Sequence, residues 1–243
     1  MASCGYVGKG KVYLDGRFVG NVSALDVAIT EEKLEQSDYT QGGGGNCAVV
    51  RRIDTVELSM TMTSYDADNL AIAVFGEATA DASAAIVDES QTSAATLDED
   101  ALIVTDKLID VTQAVTVTSD PAGTTYVDGT DYTIGAAGVT VLAAGSIGAA
   151  TPLLISYQSV GVDVVQALVT SAQIYEVTFD GINEADEGSP LVLKAYRVQF
   201  GPTEGLALIG DEFGELALTG DILQDSTKTG TGISQYFTVS TPD

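Results

Sequence analysis

The stretch SAQIYEVTFDGINEADEGSPLVLKAYRVQFGPTEGLALIGDEFGELALTGDIL, residues 171–223, decides the fold class. Apolar and polar side chains alternate at residues 174–179 before Asp180-Gly181 interrupts the run, which is the pattern of a half-buried strand followed by a turn. The same period returns at residues 195–200 and 215–219, and a glycine follows each of these runs. Three amphipathic strands in succession make a sheet that must bury one face. The sequence therefore predicts a mainly β protein.

The amino-terminal part continues this pattern. Asp15-Gly16 separates two short apolar runs, and such a pair supplies the positive φ that a tight hairpin turn needs. The strictest alternation in the chain follows at residues 56–63. Its apolar side chains, at positions 56, 58, 60 and 62, are expected to be buried, and the polar ones between them are expected to face water.

Two folding parts are predicted from changes in composition. Ser64 is a candidate N-cap and Gly76 a candidate stop for one short helix. From Glu77 to about Asp100 the composition shifts to small and acidic residues, which indicates a linker or exposed segment. Short strand-like pieces with Gly or Pro between them follow. The predicted parts are a discontinuous domain, residues 1–77 and 166–243, and a small all-β insertion, residues 78–165.

The strand pattern breaks between residues 31 and 54, where Gly42, Gly43, Gly44 and Gly45 follow one another. Consecutive glycines leave the backbone with maximal freedom. We therefore expect a long loop here, mobile in an isolated subunit and ordered only by something outside it.

Charge and composition exclude most enzymes. The 35 acidic residues against 10 basic ones give a net charge of −25, which repels phosphate backbones and anionic membranes. There is no histidine, so the usual general base at neutral pH, the Ser-His-Asp and Cys-His arrangements and the zinc-peptidase motif are missing. The uncharged run at residues 132–162 is long enough to span a bilayer, but its glycines and Pro152 favour strands and turns.

No cofactor or metal ion is predicted. The acidic segment at residues 180–187 fails the EF-hand spacing, because Ile182 holds the third position and Ala185 the glycine position. No dinucleotide or Walker-type glycine loop is present. The amino terminus has no apolar core of signal-peptide length. We therefore expect folding in a cytoplasm, where the two cysteines, Cys4 and Cys47, are free thiols.

The segment from Phe179-Asp-Gly-Ile-Asn183 through residues 194–202 to Phe213-Gly214 and the leucines after it resembles the carboxyl-terminal part of the major tail tube proteins of long-tailed bacteriophages and archaeal tailed viruses. Residues 69–76 resemble the helix that these proteins lay against their sandwich. The resemblance covers residues 5–76 and 165–238. It implies a phage tail-tube β-sandwich or barrel with one short helix, six subunits to a ring, and rings stacked into a tube that conducts double-stranded DNA into the host.

The same resemblance implies the partners and the location. The partners are further copies of this chain, the tape measure protein, the tail terminator and distal tail proteins, and genomic DNA that passes without tight binding. The subunit would be assembled in the host cytoplasm and would reside in the virion, without a membrane, and the insertion would lie on the tube exterior. An acidic bore fits this role, because a cationic wall would bind phosphate by releasing counterions.

Two residue sets receive roles from the resemblance. The first is a loop that reaches a neighbouring subunit or ring, and its members are Glu31, Glu32, Glu35, Tyr39, Gly42, Gly43, Gly44, Gly45, Arg51 and Arg52. The second faces the lumen, and its members are Glu57, Ser59, Thr61, Thr63, Glu176 and Thr178. The lumen set contains no lysine or arginine, so its carboxylates would repel phosphate.

An alternative of a different class is an acidic surface or adhesion module, in which a β-sandwich with carboxylate loops binds calcium or glycans. It predicts secretion and a monomeric protein. The high aspartate content favours it. The absence of a signal-peptide pattern and the long glycine-rich loop count against it.

Overall fold

The computed structural model of the chain describes residues 5–40, 42, 44–94, 96, 100–171 and 173–242. Its first eight strands are β1 (Gly8–Leu14), β2 (Arg17–Phe18), β3 (Val22–Ser37), β4 (Asn46–Met62), β5 (Glu77–Asp81), β6 (Ala85–Thr92), β7 (Ala101–Val104) and β8 (Thr116–Ser119). The others are β9 (Tyr132–Gly135), β10 (Gly138–Val141), β11 (Pro152–Gln158), β12 (Val162–Gln166), β13 (Ile174–Asn183), β14 (Ser189–Phe200), β15 (Leu216–Ile222) and β16 (Phe237–Ser240). One α-helix, α1 (Ala67–Ala73), and a 3-10 turn at Glu184–Asp186 complete the described elements. The prediction of a mainly β protein is confirmed.

The chain divides into two compact units. The main unit is Met1–Ala78 with Val165–Asp243, and the inserted unit is Thr79–Val164. These boundaries lie one residue from those expected from composition. Strands β5 and β12 pair with each other in a two-stranded sheet.

One curled sheet forms the main unit. Its strands are ordered β2-β1-β13-β14-β15-β4-β3, with β16 paired to β14, and the described strands leave it open. The predicted inward side of β4 is confirmed, because the exposed fractions of Val56, Leu58, Met60 and Met62 are all 5% or less. They pack against side chains of β1, β13, β14 and β15, among them Val12, Leu14, Val177, Ala195, Val198, Leu216 and Leu218. Burial of this apolar area at about 25 cal/mol per Å² is the main stabilising contribution.

Strands β13 and β14 are longer than predicted. We expected a turn at Asp180-Gly181, but pairing continues from Ile174↔Gln199 to Asn183↔Ser189. The turn is short, and Glu187 and Gly188 in it have positive φ. Gly10 permits the close approach of β1 to β13, because a Cβ on Gly10 would collide with the carbonyl oxygen of Asp180 and would lie 2.5 Å from the Cα of Gly181. Glycine therefore marks close strand approach here, not the end of a strand.

The helix begins later and ends differently than predicted. Its N-cap is Asp66, whose carboxylate accepts the backbone N–H of Asn69. Ser64 is not the cap, since its hydroxyl accepts the N–H of Asn21 at 2.9 Å. At the other end Phe75, with φ of +50°, takes the left-handed conformation that we expected at Gly76. The predicted Asp15-Gly16 turn is confirmed, with φ of +48° and +82°.

The side chain of Asn69 joins the helix to the first hairpin. It is fully buried, and its Nδ2 donates to the carbonyl of Val19 at 2.9 Å and to that of Ser64 at 3.1 Å. Its Oδ1 accepts a hydrogen bond from Arg17 Nη2 at 2.9 Å. Burying an amide costs little folding free energy when all its hydrogen-bond partners are present. If the amide is removed, its buried partners lose their hydrogen bonds and the full desolvation penalty destabilises the fold.

We expect Asn69→Ala to lower the free energy of unfolding of the main unit by about 2–3 kcal/mol, because it leaves the Val19 carbonyl unpaired in the interior. Urea denaturation followed by circular dichroism measures the loss. Asn21→Ala is the matched control, since Asn21 is exposed and its loss should cost less than about 1 kcal/mol. Equal losses in the two variants would contradict the role of Asn69.

The inserted unit contains two three-stranded sheets, β7-β10-β9 and β6-β11-β8. Its core is centred on Val117, Val139, Val141, Leu153 and Ile155, none of which is exposed. Of the two alternatives predicted for the segment from Glu77 to about Asp100, the linker was wrong, because β5 and β6 lie in it, but every residue of these two strands is exposed or half-buried. Strand β6 pairs with β11 across its whole length. Its alternation is carried by small and polar residues, so hydrophobic periodicity does not reveal it.

Glu89 links β6 to the rest of the inserted unit. Its carboxylate accepts the Tyr157 hydroxyl at 2.6 Å, Gln91 Nε2 at 2.7 Å and the Asp106 N–H at 3.0 Å. Burial alone would raise the pKa of Glu89, but these three hydrogen bonds together outweigh it and hold the pKa below the ordinary 4.5. A carboxylate with a lowered folded-state pKa stabilises the fold above its unfolded pKa.

The stabilisation by Glu89 should be complete at about pH 7 and should disappear as the pH falls through its folded-state pKa, because protonation removes an acceptor. We expect Glu89→Gln to reduce the stability of the inserted unit at about pH 7 and to flatten its pH dependence below pH 4.5. Urea denaturation read from NMR signals of Tyr157 checks both effects. Asp163→Asn, at an exposed position of the same unit, should change neither.

Candidate functional site

A two-stranded ribbon formed by β3 and β4 extends beyond the core of the main unit. We call residues 31–54 the arm. It consists of the outer halves of β3 and β4, which pair from Glu31↔Ile53 to Ser37↔Asn46. All of the described strand residues in it are exposed. An isolated two-stranded ribbon is only marginally stable in water.

The prediction of a loop at residues 31–54 was therefore wrong. Pairing of β3 with β4 continues outward from the core, with a register shift between Thr30 and Glu31. Both faces of the arm are wet, so its sequence shows no apolar alternation from which a strand could be predicted. Whether a neighbouring subunit contacts these residues stays a prediction.

One face of the arm carries a charge cluster, with the exposed side chains of Val49 and Ile53 on the same face. Lys33 stands directly opposite Arg51, which is unfavourable for two like charges. Glu31 forms an ion pair with Arg51, and Glu35 forms one with Lys33. The hydrogen bond from Lys33, followed by that from Asn46, lowers the pKa of Glu35 below its ordinary value. The two carboxylates therefore offset the electrostatic repulsion between Lys33 and Arg51.

The opposite face of the arm is apolar at its centre. Leu34 stands opposite Val50, and both side chains are 47% exposed. Arg52 stands opposite Glu32 on this face. Unlike Lys33 and Arg51, Arg52 forms no ion pair with any described residue. We call the surface formed by Leu34, Val50 and Arg52 the apolar arm face.

The tip of the arm is a turn fixed by Asp38. Its carboxylate accepts the N–H of Thr40 at 2.8 Å and the Thr40 hydroxyl at 2.5 Å, and these bonds, the one from the hydroxyl first, lower the pKa of Asp38. Gly44 and Gly45 have φ of +72° and +141°, so these glycines serve the turn geometry. Tyr39 is 92% exposed. Gly42 is exposed, and Gly43 lies outside the described residues.

The predicted lumen residues of β4 lie on the polar face of the sheet, opposite the core. Glu57 stands in a row with Asp221 on β15 and Ala28 on β3. Ser59 stands between Thr219 and Asp26, and Thr61 between Ala217 and Ala24. Glu57 and Ser59 therefore each have one further carboxylate beside them, that of Asp221 and that of Asp26. Thr63 lies past the end of β4, where its N–H and hydroxyl bond to Asn21.

Glu176 and Thr178 share the outer side of β13, and a lysine lies beside them. Lys194 stands opposite Thr178 and forms an ion pair with Glu176 at 2.9 Å. Asp15 holds Glu176 in place, since it donates its N–H to the Glu176 carbonyl and accepts the Glu176 N–H on its carboxylate. The lumen set itself contains no lysine or arginine, but Lys194 lies beside Glu176, so the charge of this carboxylate is offset there.

A loop that the sequence did not predict as a site also exposes large apolar side chains. Residues 201–215 connect β14 to β15, and Leu208, Ile209 and Phe213 in this loop are 78%, 98% and 96% exposed. Its ends are fixed by the bond from the Thr203 N–H to the Ala73 carbonyl at 2.8 Å and by that from the Tyr65 hydroxyl to the Glu215 carbonyl at 3.1 Å. The run Leu-Ala-Leu-Ile between glycines was the available signal.

The chain matches the model of one protein family over residues 5–240, and the family is described as Protein of unknown function UCP028589. This chain belongs to that family. The match extends over both units, since it starts before β1 and ends with β16. Comparison with curated proteins gives no match.

The described residues form neither a metal site nor a membrane-spanning helix. No three or more His, Cys, Asp or Glu side chains of the described residues form a group that could hold a metal ion. No described helix is long and apolar enough to cross a membrane. The surfaces that stand out are therefore the arm, the polar sheet face and the 201–215 loop.

We expect Gly44→Val to loosen the tip of the arm, because a β-branched residue at φ of +72° costs about 1–3 kcal/mol. Amide exchange of residues 36, 37 and 46–48 should become about tenfold faster. Gly42→Val is the matched control, since a Cβ there meets nothing within 4 Å and its φ is not in the left-handed region. An equal effect of the two variants would mean that the glycines do not fix the turn.

Proposed function

We propose that the chain is a structural subunit that assembles with copies of itself into hexameric rings, which stack into the tail tube of a virus. The observation that carries the proposal is the arm, a paired ribbon whose strand residues all lie outside the core and expose apolar side chains on both faces. Burial of such a surface requires a partner. In the tube, that partner is a neighbouring subunit or ring.

The curled sheet with one helix fits the tail-tube β-sandwich that the sequence resembles. Its core side is filled by apolar side chains, and its other side carries Asp26, Glu57 and Asp221 in adjacent strands. We assign this polar sheet face to the bore. With a net charge of −25, the wall would not attract phosphate, and DNA would pass without being held.

The remaining parts of the proposal follow from the same assignment. The tape measure protein and the tail terminator and distal tail proteins would be the further partners, as the resemblance implies. The inserted unit has its own core and would lie on the exterior. The subunit would be made in the host cytoplasm and end in the virion.

Electron microscopy and sedimentation of the purified chain test the proposal, and rings or tubes are the expected result. Leu34→Asp with Val50→Asp should abolish assembly and leave the circular dichroism unchanged, because charges on the apolar arm face cannot be buried at a contact. Val87→Asp is the matched control, since Val87 is 73% exposed in the inserted unit, and it should assemble normally.

A thiol on the arm gives an independent measure. Cys47 is free and exposed, so in a Cys4→Ser background maleimide should label it quickly in the subunit and slowly in the assembly. A chain that stays monomeric at high concentration would overturn the proposal, as the surface-module alternative predicts. Tubes with rapidly labelled Cys47 would remove the arm from the contact.

The bore assignment makes a separate prediction. Glu57 stands opposite Asp221, so Glu57→Lys replaces a like-charge pair by an opposite one and should stabilise the fold by about 0.2–1 kcal/mol. Virions with this variant should nonetheless eject DNA more slowly at low salt, because a ring of lysines would attract phosphate. Asp163→Lys in the inserted unit is the control with the same charge change. Ejection at the unmodified rate in both variants would exclude the polar sheet face from the bore.

A further inference from the structure

Two segments among the described residues of the main unit combine exposed large apolar side chains with charged ones. One is the apolar arm face, with Leu34 and Val50 each 47% exposed. The other is the 201–215 loop, with Ile209 and Phe213 almost fully exposed at 98% and 96%. Large exposed apolar residues that cluster in this way mark contact surfaces.

One cation of the arm, Arg52, can complement the acidic 201–215 loop, with Glu32 opposite it across the ribbon. The arm brings together Lys33, Arg51 and Arg52, three of the ten basic residues of the chain. Lys33 and Arg51 are paired within the arm, and Arg52, beside the apolar pair, has no described ion-pair partner. The loop carries no basic residue, and none of its carboxylates forms an ion pair with a described residue; these are Glu204, Asp211, Glu212 and Glu215.

We propose that the apolar arm face of one copy docks on the 201–215 loop of a second copy. Leu34 and Val50 cover Ile209 and Phe213, and Arg52 pairs with Asp211 or Glu212. This inference rests on the proposed function, since it names the surface of the neighbouring copy that receives the arm.

Opposite charges matter more here than in most chains. Copies that each carry a charge of −25 repel one another, so a contact that places a cation against two carboxylates selects one orientation among many unfavourable ones. The two surfaces are different parts of the chain, so the contact is head-to-tail. Each copy offers one arm and one loop, and such contacts continue into a ring or a stack.

Charge reversal at both surfaces tests the contact. Arg52→Glu should raise the protein concentration needed for assembly by about tenfold, because it sets like charges against each other, and Arg52→Glu with Asp211→Arg and Glu212→Arg should restore most of the loss. Lys11→Glu, an exposed change of the same charge on β1, is the control and should leave the threshold unchanged. Failure of the loop reversals to rescue Arg52→Glu would overturn the inference.

Cross-linking tests the geometry without relying on charge. Ala48 lies on the same face of the arm as Val50 and Arg52, so in a Cys4→Ser, Cys47→Ser background Ala48→Cys should form intermolecular disulfides with Ile209→Cys upon mild oxidation. Ala48→Cys combined with Val87→Cys in the inserted unit should not. Assembly without the Ile209 cross-link would overturn the inference and leave the proposed function standing. A protein that neither assembles nor cross-links would overturn both. Cross-links at Ile209 and Val87 in equal yield would indicate random collision, which also contradicts the contact.

Discussion

The pairing of β3 with β4 is the constraint on which the main unit depends. Within the core it sets Leu25 opposite Met60 and Val27 opposite Leu58, so one side of the ribbon is apolar and the other polar. Because side chains alternate along a strand, the burial of Met60 and Leu58 also forces Glu57 and Ser59 onto the outer face. The same ladder then runs outward, where no other strand covers it.

The arm is consequently held by backbone pairing and by surface charges, not by a core. Exposed ion pairs such as Glu31 with Arg51 contribute less than about 1 kcal/mol each. They offset the repulsion between Lys33 and Arg51 more than they stabilise the ribbon. Leu34 and Val50 gain little from facing each other in water. Burial of the arm's exposed apolar side chains against a further surface would therefore contribute more free energy than the contacts within the arm.

Several polar side chains in this chain connect elements of the fold by hydrogen bonds. Asn69 connects a helix to a hairpin, Glu89 ties β6 to Tyr157, and Asp15 fixes the backbone at Glu176. Each of these groups has its hydrogen-bond partners in place, which removes the cost of taking it out of water. Chemical work on a substrate is not needed to explain any of them. The proposed assembly role would use other features, namely the exposed apolar side chains of the arm and of the 201–215 loop and the acidic sheet face.

The sequence by itself determined the elements in which one side is buried. The alternation from Val56 to Met62 and the Asp15-Gly16 turn both have the structure that their pattern predicts, because burial of one face imposes a period of two and a tight hairpin imposes positive φ. Only the tertiary structure decided the rest. The arm and the 201–215 loop have no buried side, so their sequences show no apolar periodicity. The N-cap of the helix is Asp66 and not Ser64, because the Ser64 hydroxyl bonds to Asn21, 43 positions away in sequence. The ion pair between Glu176 and Lys194 could not be predicted from the sequence either, because only the register of β13 with β14 brings the two side chains together.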